Sequence, residues 1–584
     1  MKNKYSILFL SFILIAHFIS AQTNIVCNDS LVASVLKGQY NPNQFLPGNI
    51  IIQPALIVQG IIGNVNPDSL HQYLVRLASF HNRNTGSDTI SVSTGIGAAR
   101  RWAYSKFQEF SAANQNRLLP AYIQFDDSIC GSNQHRNTFA VLPAIDTSSK
   151  SIIIIEAHLD SRCEDNCDTL CLAEGMEDNG SGCALVLELA RTMSAYSFHH
   201  TIVFLLTIGE EQGLFGATAF ASYCTANNIL IKSVQNNDIV GGIICGNTSS
   251  PPSCPGLDDI DSTAVRVFCQ GGYTSPHKAY ARFSQLQYRE EVLPLATVPM
   301  DFQIYAAEDR TGRGGDHIPF RAAGFTAVRY TAENEHGNGN PADSTYTDRQ
   351  HTHRDILGVD TNGDLLLDSF YVDFNYLARN TVINGVTASM AGIGPETPTF
   401  NLVNDTTGLT VVLTSQTQYP QYVVSVRRPP QNYNLDLLYR YNDTLPFRIP
   451  NIHLDSIYYI SVSSVDTNGI ESVFTIEKFA HSLGEGPAAI NSLSPKSVGG
   501  MWIYPNPFRA STKIIFELNA AQSSDLTLII SDIAGREIDK VLVNGHNGRN
   551  ELLYTNHSLN PGTYFCTLTS DLGVMKTCRF IVTD

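Results

Sequence analysis

Residues 151–162 read SIIIIEAHLDSR: four isoleucines run into a glutamate, an alanine and a histidine, and an aspartate follows two residues later. A short, continuous apolar run rich in β-branched side chains is the pattern of a strand covered on both faces. TIVFLLTI at 201–208 repeats it, and between the two GSGCALVLELARTMSAY, 180–196, carries apolar residues at helical spacing. Strand, helix, strand predicts an α/β fold with a mixed, mostly parallel sheet flanked by helices. Working outward, a helix is expected over GIGAARRWAYSKFQEFSAA, 95–113, and a strand at FTAVRYT, 325–331, so that this domain spans 64–392. Residues 22–63 mix Pro, Asn and Gly with apolar stretches and read as an N-terminal extension.

The ends of the two strands carry chemistry. His158 stands where the apolar run gives way to charge, and Asp160 lies on the same face of an extended chain, placed to orient the imidazole. Asp178, in EGMEDNGSG, sits just before a helix among small residues that permit close backbone approach. It is the candidate bridge between two cations. Glu210 and Glu211 follow the second apolar run and lie between Gly209 and Gly213. Adjacent carboxylates repel unless a cation intervenes. Both can reach one centre only where the strand turns, which the glycines allow. One of them can bind metal while the other handles a proton. Imidazole nitrogen and carboxylate oxygen are zinc donors, so the collection suits a two-zinc hydrolase.

The 584 residues allow three or four domains at about 150 residues each. A formal charge of -16 repels phosphate backbones and anionic lipid, which argues against nucleic acid or a membrane surface as the main partner. Lys2 and Lys4 precede SILFLSFILIAHFIS and Ala21, the pattern of a signal peptide over 1–21. No later segment is apolar for long enough to be a transmembrane span. The 12 cysteines then belong to an exported chain and are expected to pair. Cys163, Cys167 and Cys171 are expected to brace a loop beside the site by disulfides rather than to hold metal. Counting outward from a turn at Asp571, Leu572 and Gly573 sets Cys566 opposite Cys578, a further expected disulfide.

Beyond GIGPETP the pattern changes to short alternating strands: LTVVLTS, YVVSVRR, FRIP, YYISVSSV and ESVFTI. These predict a β-sandwich over 393–495, and YYISVSSVDTNGIES resembles the penultimate strand and turn of fibronectin type III domains. A second all-β unit, 496–584, starts at WIYPNPF. Its YPNPF, SDIAGREI, LNPGTYF and terminal IVTD resemble the C-terminal sorting domain of the type IX secretion pathway. That resemblance implies the type IX machinery as a partner, with passage through periplasm and outer membrane to a secreted or surface-attached place.

HLDS, EDNGSG and GEEQGLFGA, in this order, resemble the secreted di-zinc aminopeptidases of the bacterial leucyl aminopeptidase family, over roughly residues 80 to 360. The resemblance implies a zinc-peptidase fold, peptide or protein substrates and two Zn2+ ions. The ions would be held by His158, Asp178, Glu211, Asp238 in NNDIVGG and His351 in QHTHRD. Glu210 would be the general base and Asp160 the residue behind His158. His353 and His317 compete with His351, whose following Thr352 and Asp355 match the family pattern. Asp316 and His317 match a segment that lies near the site without supplying a ligand. The resemblance also implies a cis peptide from Asp178 to Asn179, and this chain departs from the family in its cysteine-rich insertion.

DTNGDLLLD offers Asp360, Asn362, Asp364 and Asp368 as oxygen donors for Ca2+, at a spacing unlike the EF-hand loop. Two other readings compete with the peptidase. One is a single-zinc enzyme like glutaminyl cyclase, and the other is a non-catalytic surface binding protein on a peptidase scaffold. The sequence names no receptor for a substrate α-amine beyond two acidic candidates, Glu333 and Glu335.

Overall fold

The computed structural model describes residues 22–244, 258–309, 313–333, 340–344, 348–429, 433–442, 445–453, 456–483, 498–518, 525–533, 536–546, 548–555, 559–570 and 573–583. Nine strands form its main sheet: β1 (Thr23–Cys27), β2 (Leu119–Ile129), β3 (Ser132–Leu142), β4 (Ile152–His158), β5 (Thr201–Thr207), β6 (Ile231–Asn237), β7 (Ala264–Phe268), β8 (Asp301–Tyr305) and β9 (Ala327–Ala332). Their order is β1-β2-β3-β5-β4-β6-β9-β7-β8. The sheet is mixed as expected, with its parallel pairing concentrated at the centre, where β5, β4, β6 and β9 run side by side. β1, β2 and β3 extend it antiparallel on one side, and β7 with β8 on the other.

The isoleucine run explains the layering. Ile153, Ile155 and Ala157 enter one apolar core while Ile152 and Ile154 enter the other. β5 divides likewise, with Ile202, Phe204 and Leu206 against Val203 and Leu205. Each fully buried aliphatic side chain contributes roughly 1.5–3 kcal/mol, so a one-residue slip of either strand is heavily penalised.

The first face is covered by α2 (Pro54–Asn64), α3 (Pro67–Ala78), α4 (Gly95–Ala113), α5 (Ser181–Met193), α7 (Pro276–Gln287) and α9 (Phe374–Ile393). The second is covered by α1 (Ser30–Leu36), α6 (Phe215–Ala226) and α8 (His317–Ala322). Segments before residue 64 are therefore built into the same sheet and core. β1 pairs with β2 at the sheet edge, and Ile57, Val58 and Ile61 of α2 lie in the core. No helix among the described residues is long and apolar enough to cross a membrane.

The first compact unit runs to Glu485 and includes the short strands after α9. One sheet there joins Phe400–Asp405, Gly408–Leu413 and Phe447–Arg448; the other joins Leu437–Tyr441, Gln421–Arg427, Ile457–Val465 and Lys478–His481. Val424, Val426, Tyr458 and Ile460 fill the space between them. Buried charge joins this sandwich to α7: Glu477 accepts from Arg427 at 2.8 and 3.0 Å and stands 3.5 Å from Arg282.

The second unit, residues 486–584, packs two antiparallel sheets around Phe516, Leu528, Ile530, Leu568 and Phe580. Cys566 pairs opposite Cys578 as expected, although Ser570 faces Gly573 and a bulge between Leu568 and Thr569 restores the register. The expected disulfide is absent: both cysteines are thiols, and Cys578 Sγ turns to the Met501 carbonyl at 3.1 Å. The turn residues Asp571 and Leu572 lie outside the described residues.

Candidate metal centre

Three neighbouring parallel strands aim their C-terminal ends at one point. β4 delivers His158, β6 delivers Asp238 as its next residue, and β5 leads through Ile208 to a turn at Gly209. Gly209 has φ +74°, and a Cβ there would meet Phe215 Cβ at 3.0 Å, so glycine alone suits the bend that carries Glu210 and Glu211 inward. Asp178 comes from the turn preceding α5, where the peptide to Asn179 is cis. Asn179 pins this turn to β6, donating to Asn237 O at 2.8 Å and accepting from Ile239 N at 3.3 Å.

The two carboxylate oxygens of Asp178 face different partners. Oδ1 lies 3.1 Å from His158 Nε2, which is itself 3.5 Å from Asp238 Oδ1. Oδ2 lies 3.1 Å from His351 Nε2, which is 3.3 Å from Glu211 Oε2. All five residues assigned as ligands are thus drawn together around one aspartate. By distance alone the carboxylate of Glu210 also belongs here, within 4.8 Å of donor atoms of His158 and Asp238. Of the competing histidines, His353 turns to Glu164 at 2.7 Å, and His317 Nε2 faces the Glu308 carbonyl at 3.0 Å.

Asp160 acts more broadly than its spacing suggested. Its backbone carbonyl stands 3.1 Å from His158 Nδ1, with a carboxylate oxygen at 3.5 Å. The same carboxylate accepts the backbone N–H groups of Glu210 and Glu211 at 3.3 and 3.2 Å, so it ties the histidine to the glutamate turn.

The electrostatics call for a cation. Glu211 Oε1 is buried with no hydrogen-bond partner, and the buried His158 Nε2 faces the carboxylates of Asp178 and Asp238 together. Burial, reinforced by Asp238, Asp316 and Asp178, raises the Glu210 carboxyl well above its ordinary range. Burial, then Asp178 and Glu210, do the same to Glu211. Burial also opposes charge on Asp178, yet hydrogen bonds from His158 and His351 hold it well below that range. For His158 the desolvation cost is outweighed by Glu210 and by the carboxylates of Asp160, Asp178 and Asp238, so its ring is driven upward. The protein alone can relieve this crowding only with protons. A divalent ion does so better, and the nitrogen and oxygen donor set fits zinc.

Several supporting residues escaped the sequence reading. Arg329 on β9 is fully buried, 3.1 Å from Asp238 Oδ2 and hydrogen-bonded to Asp309. Arg83 donates to the carbonyls of Leu159 and Gly175 at 2.8 and 3.0 Å, joining the His158 and Asp178 segments. Glu156 sits beneath the site beside Asp316, the residue that the family pattern had placed near it, with the Thr207 hydroxyl within hydrogen-bond reach of both carboxyl groups; burial lifts Glu156 to about 7. Only contacts between segments distant in the chain mark these residues, and composition carries no trace of them.

A cleft of about 390 Å³ opens onto the cluster, lined by Asp178, Glu210, Glu211, Asp238, His351, Arg162 and Arg313. Glu333 is not in its lining and stands 3.7 Å from Arg266 instead, while Glu335 lies outside the described residues. The expected loop disulfides are present, joining Cys163 to Cys171 and Cys130 to Cys167. In the turn proposed for calcium the carboxylates are already engaged: Asp360 accepts the N–H groups of Asn362, Gly363 and Leu365, and Asp368 accepts from Thr361.

Residues 137–247 match the model of peptidase family M28, and residues 502–583 match that of a secretion system C-terminal sorting domain. A probable zinc metalloprotease of Pyricularia oryzae is 30% identical over 480 residues, covering 77% of this chain and 90% of that protein. Another, from Leptosphaeria maculans, is 29% identical over 366 residues, covering 60% of this chain and 80% of its own. Among solved structures, the LapA aminopeptidase of Legionella pneumophila superposes with TM-score 0.40 at 16% identity, over 60% of this chain and 79% of its own. The glutaminyl cyclase of Porphyromonas gingivalis does so with TM-score 0.36 at 17% identity, over 55% and 97%.

Proposed function

The chain belongs to peptidase family M28, and from that premise we propose that it removes N-terminal residues from peptides with two zinc ions. It is a zinc-dependent peptidase, and its C-terminal sorting domain marks it for export, secreted or held at the cell surface. The observation that carries the two-ion reading is the division of Asp178, one oxygen toward His158 and the other toward His351. We assign His158, Asp178 and Asp238 to one ion and His351, Asp178 and Glu211 to the second.

Zinc held there would supply a Lewis acid for a peptide carbonyl and lower the pKa of water toward neutrality. The proton work falls to Glu210, the cleft carboxylate left over from the two ligand sets. It takes a proton from the attacking water and returns it to the departing amine nitrogen. Asp160 keeps Glu210 and Glu211 in register with His158 through the two backbone N–H groups it accepts. The limited size of the cleft supports a chain end as the substrate.

The test is zinc analysis of the full chain together with hydrolysis of leucine p-nitroanilide before and after chelation. Two zinc ions per chain and chelator-sensitive release are expected. One ion per chain with cyclisation of an N-terminal glutamine in place of hydrolysis would move the assignment to a glutaminyl cyclase. Zinc without any turnover would move it to a binding protein.

A further inference from the structure

Arg162 opens the cysteine-rich loop and lines the cleft beside Asp178, Glu210 and His351. Its backbone is fixed from both sides. Ser161 Oγ donates to Ala173 O at 2.6 Å, and Cys163 is bonded to Cys171. Cys130, in the turn between β2 and β3, holds the loop again through Cys167, and Gln212 reaches from the glutamate turn to Asn166 O at 3.3 Å. The guanidinium donates from Nε to Cys163 O at 3.1 Å and from Nη2 to Glu164 O at 3.3 Å. Both acceptors are neutral, and a guanidinium has about five N–H donors to place.

Among the described residues no carboxylate pairs with Arg162, although the chain holds 54 acidic side chains against 38 Lys and Arg. Arg329, by contrast, is neutralised by Asp238 and Asp309. Arg313 lines the same cleft and donates to Gln350. Once divalent ions offset the four carboxylates of the lining, the cleft presents guanidinium charge to whatever enters it.

We propose that Arg162 is a specificity residue that binds a carboxylate carried by the substrate within a residue or two of the scissile bond. This rests on the peptidase reading and names its substrate class, short or acidic peptides. The carboxylate has two possible sources, the C-terminus of a very short peptide or an acidic side chain at its N-terminal residue. The disulfide-anchored backbone keeps the guanidinium at the cleft, where its planar fork suits a carboxylate.

Two substrate pairs separate the sources in the zinc-loaded full chain: Ala-Ala against Ala-Ala-amide, and Glu-Ala-amide against Gln-Ala-amide. The unaltered enzyme is expected to prefer the charged member of one pair by about 10-fold or more in kcat/KM. Arg162→Gln should shrink that preference to about 2-fold, chiefly through KM, and Arg162→Lys should keep part of it. The affected pair identifies the source. Equal handling of both pairs by the unaltered enzyme overturns the proposal without need of any variant, as does a preference that survives in Arg162→Gln. If neither protein cleaves the neutral Ala-Ala-amide or any other of the four peptides, the peptidase reading falls first and the proposal with it.

Discussion

Two acidic groups in this chain, the cluster at the ends of β4, β5 and β6 and the turn at 360–368, differ in where their charge goes. In the turn the carboxylates of Asp360 and Asp368 are exposed, and backbone N–H groups, from Gly363 and Leu365 and from Thr361 respectively, pull them below the ordinary range. In the cluster Glu210 and Glu211 are pushed well above it by burial and by one another's neighbours. Aspartates that hydrogen-bond their own loop are content as they are. Carboxylates folded away from water against other carboxylates create a demand that a cation meets.

The sharpest way to break this comparison is to remove a ligand. Glu211→Ala should lose about one of two zinc equivalents and nearly all turnover, measured by metal analysis beside the activity assay; full zinc content would undo the ligand assignment. Glu210→Gln should retain zinc while kcat falls by about 10²- to 10⁴-fold. Parent-like turnover in that variant removes Glu210 from the role of base.

Arg329→Met leaves Asp238 and Asp309 without their buried cation and should cost about 3–5 kcal/mol of unfolding free energy in the metal-free protein. Denaturant titration reads this, and a loss below about 1 kcal/mol would mean that the arginine is a bystander. At the other end, Asp360→Asn should shift the melting temperature by no more than about 2 °C, with zinc content and kcat/KM as in the parent. A large loss of either would make the turn part of the machinery and erase the contrast.

Local pattern carried much of this architecture. The helix expected at 95–113 has those limits, and the two apolar runs became the central strands because each residue type found a dry side on alternating faces. Motif resemblance names the proposed ligands, and parallel strands ending at one level bring them together. Arg329 was illegible because an arginine within a strand reads as a solvent-facing residue until Asp238 and Asp309, far away in the chain, are known to enclose it. In sequence β1 reads as extension because its five residues gain their place only by pairing with β2. For Cys566 and Cys578 register was countable, but the direction of a thiol was not.

Asp355 accepts the backbone N–H groups of Glu177 and Asp178 at 2.9 and 3.0 Å, the latter a contact between residues 177 apart in the chain. The same short loop that brings His351 thereby clasps the turn bearing Asp178. A chain emerging from its N-terminus presents four of the five proposed ligands, His158, Asp178, Glu211 and Asp238, before this clasp arrives. Assembly of the cluster consequently waits for residues 351–355, the last of its parts to be made.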